Sequence, residues 1–159
     1  MLLNSDFSQR ALITPDDYRW IPSPQPGVER MMLDRTGKEK ARATSLVRYA
    51  SGSHFPGHSH PGGEEILVLS GTFTENGIDY PADWYLRSPD GSSHQPSSHD
   101  GTTLFVKLRQ MAEGERHSLR TDTNHARNWH GQPQRQICPL YSSASESLML
   151  QKIAAGEQL

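Results

Sequence analysis

The stretch that most constrains this chain is His58-Ser59-His60-Pro61-Gly62-Gly63-Glu64-Glu65-Ile66-Leu67-Val68-Leu69-Ser70-Gly71. Strand side chains alternate, so His58 and His60 share one face of an extended segment. The glycines at 62 and 63 relieve a turn that brings a carboxylate back toward them. The run Ile66 to Leu69 reads as a strand buried on both faces. Two imidazoles and a carboxylate converging from adjoining strands make up most of a divalent-metal site. A fourth donor must come from elsewhere. His94, which follows the turn signal Pro89-Asp90-Gly91, is the candidate.

Around this stretch the chain reads as short β segments. Glu29 to Asp34 is a predicted strand, ended by Thr36-Gly37-Lys38, and Ala43 to Ala50 is extended. Asn76-Gly77 between Thr72-Phe73-Thr74-Glu75 and Ile78-Asp79-Tyr80 suits a type I′ hairpin turn. Trp84 to Leu86 is a further strand, and Thr102 to Leu108 alternates with Leu104, Val106 and Leu108 on one face. Helix signals are almost absent, and turn signals at this spacing point to an all-β barrel or sandwich.

Only 33% of the 159 residues are hydrophobic, which suits a small barrel whose strands bury alternate positions. A net charge of -2 offers no electrostatic case for nucleic acid or an anionic membrane. No apolar run approaches a transmembrane length, and Met1 to Asn4 is too short for a signal peptide. The single cysteine, Cys138, excludes an intramolecular disulfide and reads as a half-buried thiol. A soluble, cytoplasmic protein is the expectation.

The residues resemble the first cupin motif: a glycine, His-x-His, a glutamate, and a glycine after six further residues. Gly52, His58, His60, Glu64 and Gly71 fill its positions. Counting back from Gly71 selects Glu64 as the motif carboxylate and sets Glu65 pointing away, as a surface or supporting group. Pro89, Gly91 and His94 are similar to the second motif, although Asp83 stands where its opening glycine belongs and Ser98 where asparagine is common. Gly62-Gly63-Glu64-Glu65-Ile66-Leu67-Val68-Leu69, followed by Leu104-Phe105-Val106-Lys107-Leu108, is similar to the cupin domain of ChrR-like anti-sigma factors. The resemblance covers roughly residues 14–110. It implies an RmlC-like double-stranded β-helix, or jelly-roll barrel. Its ligand set is His58, His60, Glu64 and His94 around one divalent ion (Zn, Fe, Mn or Ni). Ile66, Val68, Phe73, Trp84, Leu104 and Val106 are the expected barrel wall.

Residues 1–110 are expected to be the barrel with an N-terminal arm, and 111–128 a polar linker that holds a strand near Ser118 to Thr121. Residues 129–159 resemble the opening of the chain. Thr14, Trp20 and Val28 recur as Thr123, Trp129 and Ile137, displaced by 109, and Leu46, Arg48, Ala50 and Gly52 recur as Leu150, Lys152, Ala154 and Gly156, displaced by 104. Such a truncated second cupin repeat has no metal site. It is expected to pack on the first barrel or on a partner chain, favouring a homodimer.

Two functions fit. One is a metal-dependent enzyme, dioxygenase-like, acting on a small diketone or related organic acid. The other is a non-catalytic zinc-binding module that senses a ligand or redox state. It would lack the sigma-binding domain of ChrR-like proteins, because Met1 to Trp20 contains no cysteine or histidine. His54 and His99 are expected at the surface, and His117, His125 and His130 carry no assigned chemistry.

Overall fold

The computed structural model describes residues 2–157. Twelve strands build the main body: β1 (Ile21–Pro22), β2 (Val28–Arg35), β3 (Ala43–Tyr49), β4 (Ser53–His54), β5 (His58–His60), β6 (Glu64–Glu75), β7 (Ile78–Pro81), β8 (Trp84–Ser88), β9 (Ser92–His94), β10 (Pro96–Ser98), β11 (Thr102–Leu108) and β12 (Leu119–Asp122). Three more follow: β13 (His130–Gln132), β14 (Arg135–Ser142) and β15 (Ser147–Ile153). Helix is confined, among the described residues, to two 3₁₀ turns, Pro15–Asp17 and Ala126–Asn128. None is long and apolar enough to cross a membrane.

All pairings are antiparallel, and β6 organises them. Its first part lies between β11 and β8, and its last part between β7 and β10. The strand changes sheets at Gly71, whose φ is +72°. A Cβ there would lie 2.0 Å from the Gly101 carbonyl oxygen, so only glycine fits. Just before it, Leu69 has no partner on β11, because Val68 pairs with Leu104 and Ser70 with Thr103. This bulge resets the alternation of the strand. Glu64, Ile66 and Val68 are buried before it, Phe73 and Glu75 after it.

The core between the sheets is Ile66, Val68, Phe73, Tyr80, Leu86, Leu104 and Val106, with Trp84 only partly buried against it. Of the expected wall, Trp84 is therefore peripheral, and Leu86 and Tyr80 take inner positions that the sequence reading did not assign. Burial of β6 on both faces does not hold over Ile66 to Leu69. Leu67 is half-buried and Leu69 is 43% exposed, because the bulge turns Leu69 to solvent.

The hairpin at Asn76-Gly77 has positive φ at both residues, 51° and 81°, as a type I′ turn requires. Asp83, the residue in place of the motif glycine, is held at φ +71°. Ser98 is fully buried and its hydroxyl donates to the Thr72 carbonyl at 2.6 Å.

The sheet continues past residue 110. Leu119–Asp122 pairs with β8 within the segment that reads as a polar connector. Its attachment is made by backbone pairing and by Arg120, not by apolar side chains, which is why hydropathy alone leaves it faint.

β13, β14 and β15 form a separate three-stranded sheet. It shares strand order with β1, β2 and β3, and in both sheets the second strand has a register shift against the third. One contact recurs as well. The Arg48 guanidinium lies 3.7 Å from the Trp20 ring centroid, and the Lys152 ammonium 3.9 Å from that of Trp129. The sheet meets the barrel at Arg87, a fully buried residue of β8. Arg87 is ion-paired with Glu65 and with Glu146, and lies 4.0 Å from the Tyr141 ring centroid.

Glu65 is consequently not a surface group. It points away from the histidines, yet is buried among Arg87, Lys107 (3.5 Å) and the Tyr85 hydroxyl (3.3 Å). Cross-strand register explains this, since Glu65 stands opposite both Arg87 and Lys107. Cys138 is fully buried rather than half-buried.

Candidate metal centre

A short ladder between β5 and β9 assembles the site. His58 stands directly opposite His94, and His60 opposite Ser92. Directly opposed residues of an antiparallel pair project to the same side, and so does a residue two positions along. The register therefore puts three imidazoles on one face. The turn from β5 to β6 runs through Gly62 and Gly63, both with positive φ, and a Cβ on Gly63 would lie 2.3 Å from the Met111 sulfur. This tight return delivers Glu64 to the same place.

His60 Nε2 is 2.9 Å from His94 Nε2, which is 3.3 Å from His58 Nε2. Ligand atoms of these three residues all lie within 4.8 Å of one another. Glu64 Oε2 is 3.4 Å from His60 Nε2 and 3.6 Å from His94 Nε2. Nitrogens about 2.1 Å from a common ion are about 3.0 Å apart at a right angle and about 3.4 Å apart at the tetrahedral angle. The His60–His94 and His94–His58 spacings fall near these values, and Glu64 stands at the edge of the group of three histidines.

The outer nitrogens decide what the inner ones offer. His58 Nδ1 faces the Pro56 carbonyl at 3.1 Å, and a carbonyl only accepts, so Nδ1 carries the proton. His94 Nδ1 faces Glu75 Oε1 at 2.9 Å. With the protons outside, both Nε2 atoms present lone pairs inward. Burial, aided by the neighbouring His94 and His58, lowers the His60 pKa to about 3, which keeps this ring neutral. Two inward lone pairs and a carboxylate gathered beside a third imidazole are suited to a cation between them.

Glu64 has the character of a cation ligand. It is 8% exposed, and its Oε2 has no hydrogen-bond partner. Burial raises its pKa to about 7, only partly opposed by His94. A buried carboxylate without a partner is costly unless a positive group meets it. The donor set thus fits a divalent ion.

Two residues of the site went unread in the sequence. Glu75 binds His94 through Oε1 and Arg120 through Oε2, at 2.6 Å and 3.0 Å to the guanidinium nitrogens. Burial alone would raise Glu75, but the bonds from His94 and Arg120 outweigh it and hold the carboxyl below its ordinary pKa. The signal for Glu75 is the bulge at Leu69, which no local pattern reveals. Arg120 comes from the polar connector. His54 and His99 are exposed, while His117 pairs with Glu115 at 2.7 Å and His125 lies 3.5 Å from Asp122.

A cavity of about 370 Å³ adjoins the cluster. His58 and Glu64 form part of its lining, with Ile66, Leu104, Val106 and Leu108 as an apolar wall. His58 is itself exposed, so the cluster stands where the cavity meets solvent.

Compared with known families, residues 8–112 match the ChrR cupin-like domain. The chain belongs to this family. The ChrR cupin-like chain has no match by sequence among curated proteins. Its fold is shared with an RmlC-like cupin protein from Ralstonia eutropha JMP134, at 15% identity and TM-score 0.55, covering 73% of this chain and 74% of that one. A candidate acetylacetone dioxygenase from Methylibium petroleiphilum PM1 gives 16% identity and TM-score 0.56, over 73% and 92% of the two chains. A chain of the Rhodobacter sphaeroides SigE complex with the anti-sigma factor ChrR gives 23% identity and TM-score 0.50. That match covers 60% of this chain and spans only about half, 51%, of the other. At these identities the likeness is one of fold, and it makes this ChrR cupin-like chain an RmlC-type cupin barrel.

Proposed function

We propose that this chain is a metal-dependent enzyme in which His58, His60, Glu64 and His94 hold one divalent ion, and that it carries out dioxygenase-type cleavage of a small diketone or related organic acid. The observation that carries this reading is the partnerless Oε2 of buried Glu64, aimed at imidazole nitrogens beside a cavity of about 370 Å³. When bound, a divalent ion supplies Lewis acidity that polarises a ligand oxygen and stabilises developing negative charge. The Pro56 carbonyl and Glu75 hold the protons of His58 and His94 on Nδ1. Ile66, Leu104 and Val106 exclude water from the inner side, which strengthens every electrostatic contact there. The similar fold of the Methylibium protein supports the choice of reaction class.

Metal analysis of protein purified without added metal, followed by oxygen-uptake assays on acetylacetone and other diketones, tests the reading. The expected result is about one ion per chain and uptake that is lost in His60→Ala and Glu64→Ala. Undiminished uptake after complete metal removal would overturn it.

A second reading is favoured by the donor count and the family: a zinc-binding sensing module. Four donors satisfy tetrahedral zinc and close the site. X-ray absorption separates the two, since four-coordination without bound water supports the sensor and five- or six-coordination supports catalysis.

We also read residues 129–159 as the start of a second cupin repeat and the chain as a homodimer. The shared strand order and the matching cation–aromatic pairs support the repeat. Light scattering tests the dimer, and a monomer across micromolar concentrations counts against it.

A further inference from the structure

We infer that Arg35 is the anion-recognising end of the cavity, and that the ligand of this site is a small organic carboxylate with its acid group on the guanidinium and its other end toward the histidines. The inference rests on the metal-site reading above and names its substrate class.

Arg35 lines the same cavity as His58 and Glu64, and is only 4% exposed. Among the described residues its guanidinium makes one hydrogen bond, from Nη1 to the Lys38 carbonyl at 2.6 Å. Its Nε is buried and has no partner. No carboxylate oxygen of a described residue comes within 4.0 Å of it. Glu39 and Asp34 act on Arg35 only from a distance, so this buried guanidinium has no acid bonded to it and is suited to an anion that arrives.

The neighbouring arginine shows the contrast. Arg30 also lines the cavity, but Glu39 grips it with two bonds of 3.0 Å and 2.8 Å, which neutralise it. Among the described residues that line the cavity, Arg35 is therefore the guanidinium with no acid bonded to it. Its planar fork matches the two oxygens of a carboxylate.

Register puts Arg35 in line with the metal ligands. Arg35 pairs with Ala43, Ala43 with Leu108, and Leu108 with Glu64. These four positions form one row across β2, β3, β11 and β6. Three strand spacings amount to roughly 14 Å along the sheet, and curvature of the barrel shortens the path across it. The small side chain of Ala43 next to Arg35 leaves room for the ligand. An organic acid with chelating oxygens at one end and a carboxylate at the other spans the row.

The test uses two probes that share a 1,3-dicarbonyl and differ in the carboxylate: acetylacetone and acetylpyruvate. Titration calorimetry on the nickel-loaded full chain is expected to show acetylpyruvate bound about ten- to a hundred-fold more tightly. In Arg35→Met that preference is expected to vanish while the acetylacetone affinity stays within about twofold. Equal affinities in the wild type, or a preference that survives in Arg35→Met, would overturn the inference. Should Arg35→Met not fold, the ¹⁵N resonance of the wild-type Arg35 Nε–H takes its place: it shifts with acetylpyruvate and not with acetylacetone, and an unmoved resonance refutes the proposal. Failure of the metal reading looks different. The protein then holds no nickel after dialysis and acetylacetone does not bind, yet the Arg35 resonance still responds to acetylpyruvate.

Discussion

His94 and Glu75 stand 2.9 Å apart, Nδ1 to Oε1, across 19 residues of sequence. Glu75 orients the ring, fixes its tautomer and is held in turn by Arg120. Groups that support a metal-ligating histidine in this way are worth about 10- to 100-fold in metal affinity. Glu75→Gln is therefore expected to weaken metal binding by that factor while the far-ultraviolet circular dichroism of the barrel stays unchanged. Competition with a metallochromic indicator measures it, and unaltered affinity would remove Glu75 from the site.

Glu64 makes the metal-free protein sensitive to pH. Its carboxyl titrates near 4.5 in the unfolded chain and near 7 in the fold, where burial favours the protonated form. The folded state thus binds the proton more tightly. This contribution to stability is fully present below pH 4.5 and is lost as pH rises through 7. Removing the charge with Glu64→Gln is expected to stabilise the metal-free protein by about 1–3 kcal/mol at pH 8 and to abolish the stabilisation that added metal gives the wild type. Urea unfolding with and without chelator measures both. Equal loss of stability in both states would make Glu64 a purely structural acid.

Arg87 joins the barrel to the three-stranded sheet through Glu65, Glu146 and Tyr141. Arg87→Met leaves Glu65 buried with Lys107, at 3.5 Å, as its remaining cation and the Tyr85 hydroxyl at 3.3 Å. The expected cost is about 3–5 kcal/mol, the range for removing one partner of a buried pair. Limited proteolysis is expected to cut first between residues 129 and 157, because β14 and β15 lose their anchor. Retention of wild-type resistance there would show that the sheet docks by other contacts.

Asp83 is held in left-handed backbone at φ +71°, pinned by Thr123, whose amide and hydroxyl both donate to its carbonyl at 3.0 Å and 2.7 Å. The conformation suits glycine better than any residue with a Cβ. Asp83→Gly is expected to raise stability by about 0.5–1 kcal/mol, and Asp83→Val to lower it by about 1–2 kcal/mol. Thermal unfolding of the two variants should move in opposite directions.

The sequence alone determined what local periodicity encodes. Alternation put His58 and His60 on one face, Asn76-Gly77 specified its hairpin, and the resemblance to the cupin motif, counted back from Gly71, implied Glu64 over Glu65. Tertiary structure decided the rest. The unpaired Leu69 shifts β6 by one residue, and that shift turns Glu75 inward to His94 and Leu69 outward to solvent. Arg120 and Arg35 gain their roles from strands distant in sequence, and Glu65 is buried because Arg87 and Lys107 stand opposite it on the flanking strands. The physical reason is common to all of them: a side chain's face follows from its own strand, whereas the partner it meets depends on pairings that close long loops and leave no local trace.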